Sequence, residues 1–134
     1  MPIPNFLGAS LLVAAGGALG SWLRFVVGLG WSALLGPARA GAFPISTLTV
    51  NVLGSLAMGV IAGLFARHGS HGESARLFLM VGVMGGFTTF SSFSLDVISL
   101  AQRGQPGLGM FYAGLSVLTG IVALVAGLSV ARAI

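Results

Sequence analysis

The chain has 134 residues; 6% are charged, 56% are apolar, 22 are glycine, and the mean hydropathy is +1.05. A soluble domain carries about 25% charged residues, and none of this size hides so much apolar surface from water. A soluble enzyme, a nucleic-acid-binding domain and a disordered chain are therefore excluded, and the lack of cysteine removes disulfides and thiolate metal sites.

The uncharged runs set the architecture: 6–23, 40–66, 77–95 and 104–131 hold 18, 27, 19 and 28 residues. A membrane span needs about 20 apolar residues, so the pattern predicts four helices in one domain covering 1–134. They are expected at about 5–30, 45–66, 76–102 and 107–131. The first must run past Arg24, because 25–38 is too short to span alone. It reads as a span rather than a signal peptide, since it lacks a basic start. The runs are continuous rather than alternating, which favours helices over a barrel. The net charge of +4 comes from scattered arginines with no lysine and no basic cluster, so it does not point to nucleic acid. Arg67, Arg76 and Arg132 fall at one end. Arg39 and Arg103 fall at the other, joined by Arg24 if it lies near that face. The positive-inside rule therefore does not decide orientation. Two readings stand, a single topology set by other features or insertion in both orientations as an antiparallel pair.

Polar side chains inside the spans come next. Arg24, in the first span, suits a structural or vestibule role. In the second span Asn51, Ser55, Gly59 and Gly63 recur every four residues and share one helix face. The last three read as a packing stripe. Asn51 reads equally as a functional donor and as interhelical glue, because a carboxamide in lipid needs partners. The third span holds Gly85-Gly86-Phe87-Thr88-Thr89-Phe90-Ser91-Ser92-Phe93-Ser94. Adjacent glycines followed by β-branched and hydroxyl residues make poor helix, so a break is expected near Gly85–Thr89. Such a break survives at membrane depth only where protein or an ion pathway satisfies the freed groups; an ion site and a packing kink both fit. Freed carbonyls would suit a hard cation, freed N–H groups and hydroxyls an anion. Phe90 and Phe93 share a face interleaved with Ser91, Ser92 and Ser94, and ring edges are electropositive. Asp96 is expected to cap or pair near the end of this span. In the fourth span Tyr112 and Ser116 lie four apart, as a hydroxyl track or as packing, and Gly114, Gly120 and Gly127 read as close-packing positions. His68 and His71 read as solvated loop residues, and Glu73 with Arg76 as a weak boundary pair. There is no nucleophile–base pair, phosphate loop or paired carboxylate, so no enzyme chemistry is expected.

These strings carry a resemblance. Gly17-Ala18-Leu19-Gly20-Ser21-Trp22-Leu23-Arg24, Thr47-Leu48-Thr49-Val50-Asn51 with Gly54, and the third-span string from Gly85 to Ser94 together resemble the Fluc (CrcB) fluoride channels over nearly the whole chain. The third-span string is the most specific. The resemblance implies an all-α membrane protein of four helices with a broken third helix, assembled as an antiparallel dual-topology homodimer with two pores, each built from both copies. It implies a central, non-transported structural sodium ion held by backbone carbonyls of Gly85 and Thr88. It places pore phenylalanines at Phe90 and Phe93, the pore asparagine at Asn51, and a hydroxyl track at Ser91, Ser92, Tyr112 and Ser116, the last two by spacing alone. Two departures are visible: Ser92 stands where many members have Thr, and Ser46 where the second-span motif often opens with Gly.

The expected function is passive, selective fluoride efflux across the plasma (inner) membrane, with fluoride, lipid and a second copy as partners and no organic cofactor. A strongly hydrated small anion needs close uncharged donors in place of water, and these residues supply them. A proton-coupled drug transporter would need an intramembrane carboxylate in the first span, which has none. A non-conducting scaffold would explain the glycines but not the third-span string.

Overall fold

A computed structural model of the protein describes residues 5–68 and 72–134. Among them the chain is entirely helical. Four apolar stretches are long enough to cross a membrane: Phe6–Leu35, Ile45–Arg67, Glu73–Gln102 and Pro106–Ala133.

Helix α1, Phe6–Leu35, starts where Asn5 Oδ1 accepts the Gly8 amide at 2.8 Å, an N-cap that satisfies one of the helix's orphan donors. It runs past the expected end near Gly30. No proline interrupts it, and the first backbone with positive φ is Gly36 at 77°, a conformation that costs glycine little. At 30 residues it is about 45 Å long. Trp31, in its last turns, donates from Nε1 to Thr49 Oγ1 at 3.0 Å and ties it to the second span. A four-residue helix α2, Pro37–Ala40, occupies part of the connection expected as loop. Helix α3, Ile45–His68, is the second span.

The third span is composite. Helix α4, Glu73–Arg76, leads into a π-helical stretch, Leu77–Met84, then helix α5, Gly85–Phe87. Thr88 and Thr89 are extended, with φ/ψ of −82°/161° and −154°/123°. Helix α6, Phe90–Gln102, completes the span. Gly85 and Gly86, expected to disrupt helix, are themselves helical, and the two threonines carry the extended backbone. Gly86 is kept for space, as are Gly16 and Gly20 of α1. A Cβ on Gly86 would strike the Gly17 carbonyl of α1, and Cβ atoms on Gly16 and Gly20 would strike the carbonyls of Phe78 and Val83.

A Schellman turn closes α6. Gly104, at φ 78°, donates to Ala101 O and Gln105 donates to Leu100 O, both at 3.0 Å. Pro106 then opens helix α7, Pro106–Ala133, at a position where its missing N–H costs nothing. Helix α7 packs along α3 at Gly59 and Gly127, whose added Cβ atoms would meet the Leu124 and Leu56 carbonyls. Gly114, by contrast, faces open space and is not a close-packing position within the chain; Gly120 approaches only Ser55 Oγ. Arg67 Nη1 donates to the Ala131 and Arg132 carbonyls at 2.9 and 3.2 Å, partnering the last turn of α7.

Among the described residues the buried apolar side chains are few: Val50, Val83, Leu100, Tyr112 and Ala131. Large apolar groups such as Phe6, Trp22, Phe25, Met110, Leu118 and Val122 lie exposed along α1 and α7. That distribution suits a chain solvated by lipid, where apolar surface needs no shelter.

Candidate ion pathway

The extended pair Thr88–Thr89 organises the site. Thr88 turns back on the first half of the span, with its N and its Oγ1 donating to the Met84 carbonyl at 3.0 and 2.8 Å. Its methyl group seats against Gly54 of α3, where any added Cβ would collide with it. Thr89 caps α6, its Oγ1 accepting the Ser92 amide at 3.1 Å. Asn51 reaches across from α3. Its Oδ1 accepts the Thr89 amide at 2.8 Å and its Nδ2 donates to the Thr89 carbonyl at 3.0 Å. One carboxamide thus pairs with both peptide groups of one residue.

The carbonyls at the break lose their helical donors, and for two of them, Gly85 and Thr88, the new acceptor of the lost amide is seen. In an unbroken α-helix the amide of residue i+4 serves carbonyl i. The Thr89 amide would serve Gly85 and the Ser92 amide would serve Thr88. Both are diverted, to Asn51 Oδ1 and to Thr89 Oγ1. Gly85 is exposed, and a Cβ there would meet only Met80 O at 4.0 Å.

Hydroxyls and rings continue from this point. Thr89 Oγ1 lies 3.2 Å from Ser91 Oγ and donates to Ser92 Oγ at 3.1 Å. Phe90 and Phe93 pack with ring centroids 5.6 Å apart, Phe93 and Tyr112 repeat that spacing, and Phe43 meets Tyr112 edge-on at 5.6 Å. Tyr112 is wholly buried, and its hydroxyl donates to Asp96 Oδ2 at 3.4 Å. One turn further along α7, Ser116 is 7% exposed, with its side chain beside the Tyr112 hydroxyl. Cavities flank the row. One of about 260 Å³ is lined by Asn51, Gly54, Ser55, Met58, Thr88, Thr89 and Phe90. Another of about 230 Å³ includes Thr47, Asp96 and Arg103 in its lining.

The structure therefore brings Asn51 beside Thr88 and Phe90, and Phe93 beside Tyr112. Arg24 sits apart on α1, half-exposed, with no charged or hydrogen-bonding partner among the described residues. Asp96 pairs with Tyr112, and Glu73 with Arg76 at 3.6 Å. His71, and the side chain of His68, lie outside the described residues. Sequence reasoning missed Thr89, Phe43 and the space at Gly54. Only Thr89 carried a local signal, a threonine placed to cap a following helix.

A model of the family described as CrcB-like protein, Camphor Resistance (CrcB), matches residues 11–128. The chain belongs to the CrcB family. This CrcB chain is 49% identical over 124 residues to the fluoride-specific ion channel FluC of Nitrobacter winogradskyi, covering 92% of the chain and 95% of the relative. It is 51% identical over 126 residues to FluC of Novosphingobium aromaticivorans, covering 94% and 98%. To FluC of Agrobacterium fabrum it is 49% identical over 121 residues, covering 90% and 94%. These relatives are named as ion channels, not enzymes. With its four long apolar helices, the CrcB chain is a multi-pass membrane protein.

The residues present include ligands that suit a hard cation. The Gly85 and Thr88 carbonyls are neutral oxygens deprived of their usual amide donors, the kind of ligand a hard ion takes. No cluster of three His, Asp or Glu side chains exists among the described residues to hold a softer metal.

Proposed function

We propose that this protein is a fluoride-selective channel that lets fluoride leave the cytoplasm passively, across the plasma (inner) membrane. The observation that carries the reading is its likeness, near 50% identity over almost the full chain, to channels named fluoride-specific. The site's chemistry supports it. Asn51, the hydroxyls of Thr89, Ser91, Ser92 and Ser116, and the edges of Phe90 and Phe93 are uncharged donors, able to replace a small anion's water without trapping it.

The working unit in this reading is an antiparallel pair of chains inserted in opposite directions, with two pores that each draw on both copies. Two carbonyls per chain are too few to enclose a hard cation, which is held by several oxygens; a second copy brings the set to four. Gly85 and Thr88 would hold a structural sodium ion on the pair's axis, where it supplies fixed positive charge between the two chains and is not transported. Asn51, Phe90, Phe93, Ser91, Ser92, Tyr112 and Ser116 line the fluoride path, and Arg24 serves its vestibule or the fold. Hydrogen fluoride enters acid-exposed cells as a neutral molecule and dissociates inside, so the anion flows out down its gradient.

Purified protein in liposomes tests this. Fluoride efflux read by an ion-selective electrode should be rapid and chloride efflux absent, with fluoride flux lost when sodium is withheld during assembly. Chloride efflux at a comparable rate overturns the selectivity, and unchanged assembly without sodium removes the metal.

A further inference from the structure

We propose that the slot between the last turns of α1 and the start of α3 binds one anionic phospholipid, its acyl chain laid along α1 and its head group held by Arg39 and Arg103. Such a site goes beyond ion conduction and does not depend on it. A cavity of about 410 Å³ opens here, lined by Phe25, Leu29, Trp31 and Ser32 of α1, by Gly41, and by Ser46 of α3. Its polarity is graded along the bundle. Phe25 and Leu29 lie deeper and are exposed, bare apolar surface for a hydrocarbon chain. Ser32, about 10 Å beyond Phe25 along the helix axis, shares the outer end with Ser46 and Gly41. Ser10, Ser94 and Ser129 return their hydroxyls to the carbonyl four residues back; Ser32 makes no such bond among the described residues. Gly28 keeps the floor of the slot open, since a Cβ there would come only to ordinary contact with Ser46 Oγ, at 3.5 Å. Trp31 holds the two helices together through Thr49, and tryptophan favours head-group depth.

The outer rim is basic. Arg103 Nη1 donates to Gly41 O at 2.7 Å, which carries its guanidinium to the edge of the cavity and leaves most of its N–H donors unused. Arg39 directly precedes Ala40, another lining residue; it is exposed and has no charged or hydrogen-bonding partner among the described residues. No carboxylate lines the slot, and Asp96 in the adjoining cavity is paired with Tyr112. An apolar chain, hydrogen-bonding esters and then a phosphate match this order from deep to shallow. A zwitterionic head group would bring a cation against the two arginines, whereas a net negative one does not. A second copy of the chain is a poorer occupant. Arg67, Arg76 and Arg132 against Glu73 make its other end basic too, so either orientation sets arginines against arginines.

Trp31 is one of two tryptophans, so Trp22→Phe leaves it as the sole indole, inside the slot. The full-length W22F protein is placed in vesicles of phosphatidylcholine and phosphatidylglycerol, one of the two brominated near the head of its acyl chains. Bromine quenches an adjacent indole, and exchanging which lipid carries it gives the relative affinity at Trp31. Phosphatidylglycerol should be favoured about threefold or more at low salt, and less at high salt. Adding Arg39→Gln should at least halve that preference; Arg39 is exposed and unpaired among the described residues, so the fold survives its loss. Adding Gly28→Leu, which fills the slot without changing charge, should abolish it. With Trp31→Phe instead, Trp22, exposed about 13 Å deeper on α1, should report no preference. Equal quenching of Trp31 by the two lipids would make the slot ordinary lipid-facing surface and overturn the site. Quenching by neither would mean that a second copy covers it, with the same consequence. A preference undiminished by R39Q, undiminished by G28L, or shared by Trp22 would take the lipid out of this slot.

Discussion

Phe90 opens α6 with 78% of its surface exposed, yet it lines the same cavity as Asn51 and packs against Phe93. Apolar surface in lipid needs no shelter, so it is the place of the ring beside Asn51, not its exposure, that ties Phe90 to the path. Ile has similar apolar character but no electropositive ring edge. Phe90→Ile should therefore cut fluoride flux by about tenfold or more, equal to at least ~1.4 kcal/mol on the barrier, while the protein still assembles on gel filtration. Flux within twofold of wild type would remove Phe90 from the path. At this scale the sequence was informative about residue types and silent about partners. Asn51, Phe90 and Phe93 stand out as costly or patterned groups in an apolar chain. The pairing of Asn51 with Thr89, 38 residues away, leaves no trace in local periodicity, because it depends on how α3 and the third span pack. The meeting of Phe43 with Tyr112 is hidden for the same reason.

Two close contacts hold the helices as pairs: α1 against the first half of the third span, and α3 against α7. The second depends on glycine. A Cβ on Gly127 would strike the Leu56 carbonyl and stand 2.8 Å from Val60 N, both backbone atoms of α3 that cannot rotate away. Gly30 on α1 has nothing within 4 Å. Gly127→Ala should thus lower stability by about 1–3 kcal/mol through overpacking. Gly30→Ala should be neutral or slightly stabilising, since Ala is the better helix former by about 1 kcal/mol. Thermal unfolding in detergent separates them, and equal midpoints for the two variants would show that α3 and α7 have room to part. The four spans were legible because length and apolarity alone define them. The helix ends were less so: α1 continues to Gly36 because glycine in lipid does not stop a helix unless the backbone must turn. The π-helical stretch Leu77–Met84 had no signal in the sequence. Its residues, apolar with one glycine, are of the same kind as those of the other spans, and its backbone lies close against Gly16 and Gly20 of α1.

The whole molecule shows its arginines sorted to two ends. Arg103 Nη1 donates to the Gly41 carbonyl at 2.7 Å, which puts Arg103 and Arg39 at one end of the bundle. Arg67 touches the Arg132 carbonyl at the other, where Arg76 begins the third span. Two arginines face three, with Arg24 inside α1. Orientation in a membrane follows the excess of Lys and Arg in short cytoplasmic connections, and an imbalance of one is small enough for chains to insert both ways. The composition announced a membrane protein at once, but a single chain's sequence cannot display a two-fold axis, so the antiparallel pair must be tested by forcing orientation. Ala38→Lys with Gln102→Lys adds two charges to the first end; Ala66→Lys with Ser74→Lys adds two to the second. All four positions are exposed and away from the ring row. Either double variant expressed alone should place nearly all copies in one orientation, read by labelling of a terminal tag from one side only. Its fluoride flux should fall about tenfold or more, because copies that point the same way cannot form the pair. Expressing both variants together should restore flux, since each supplies the orientation that the other lacks. Full flux from one variant, with its tag labelled from a single side, would mean that parallel copies or a lone chain conduct, and the two-fold arrangement of the Gly85 and Thr88 carbonyls would have to be abandoned.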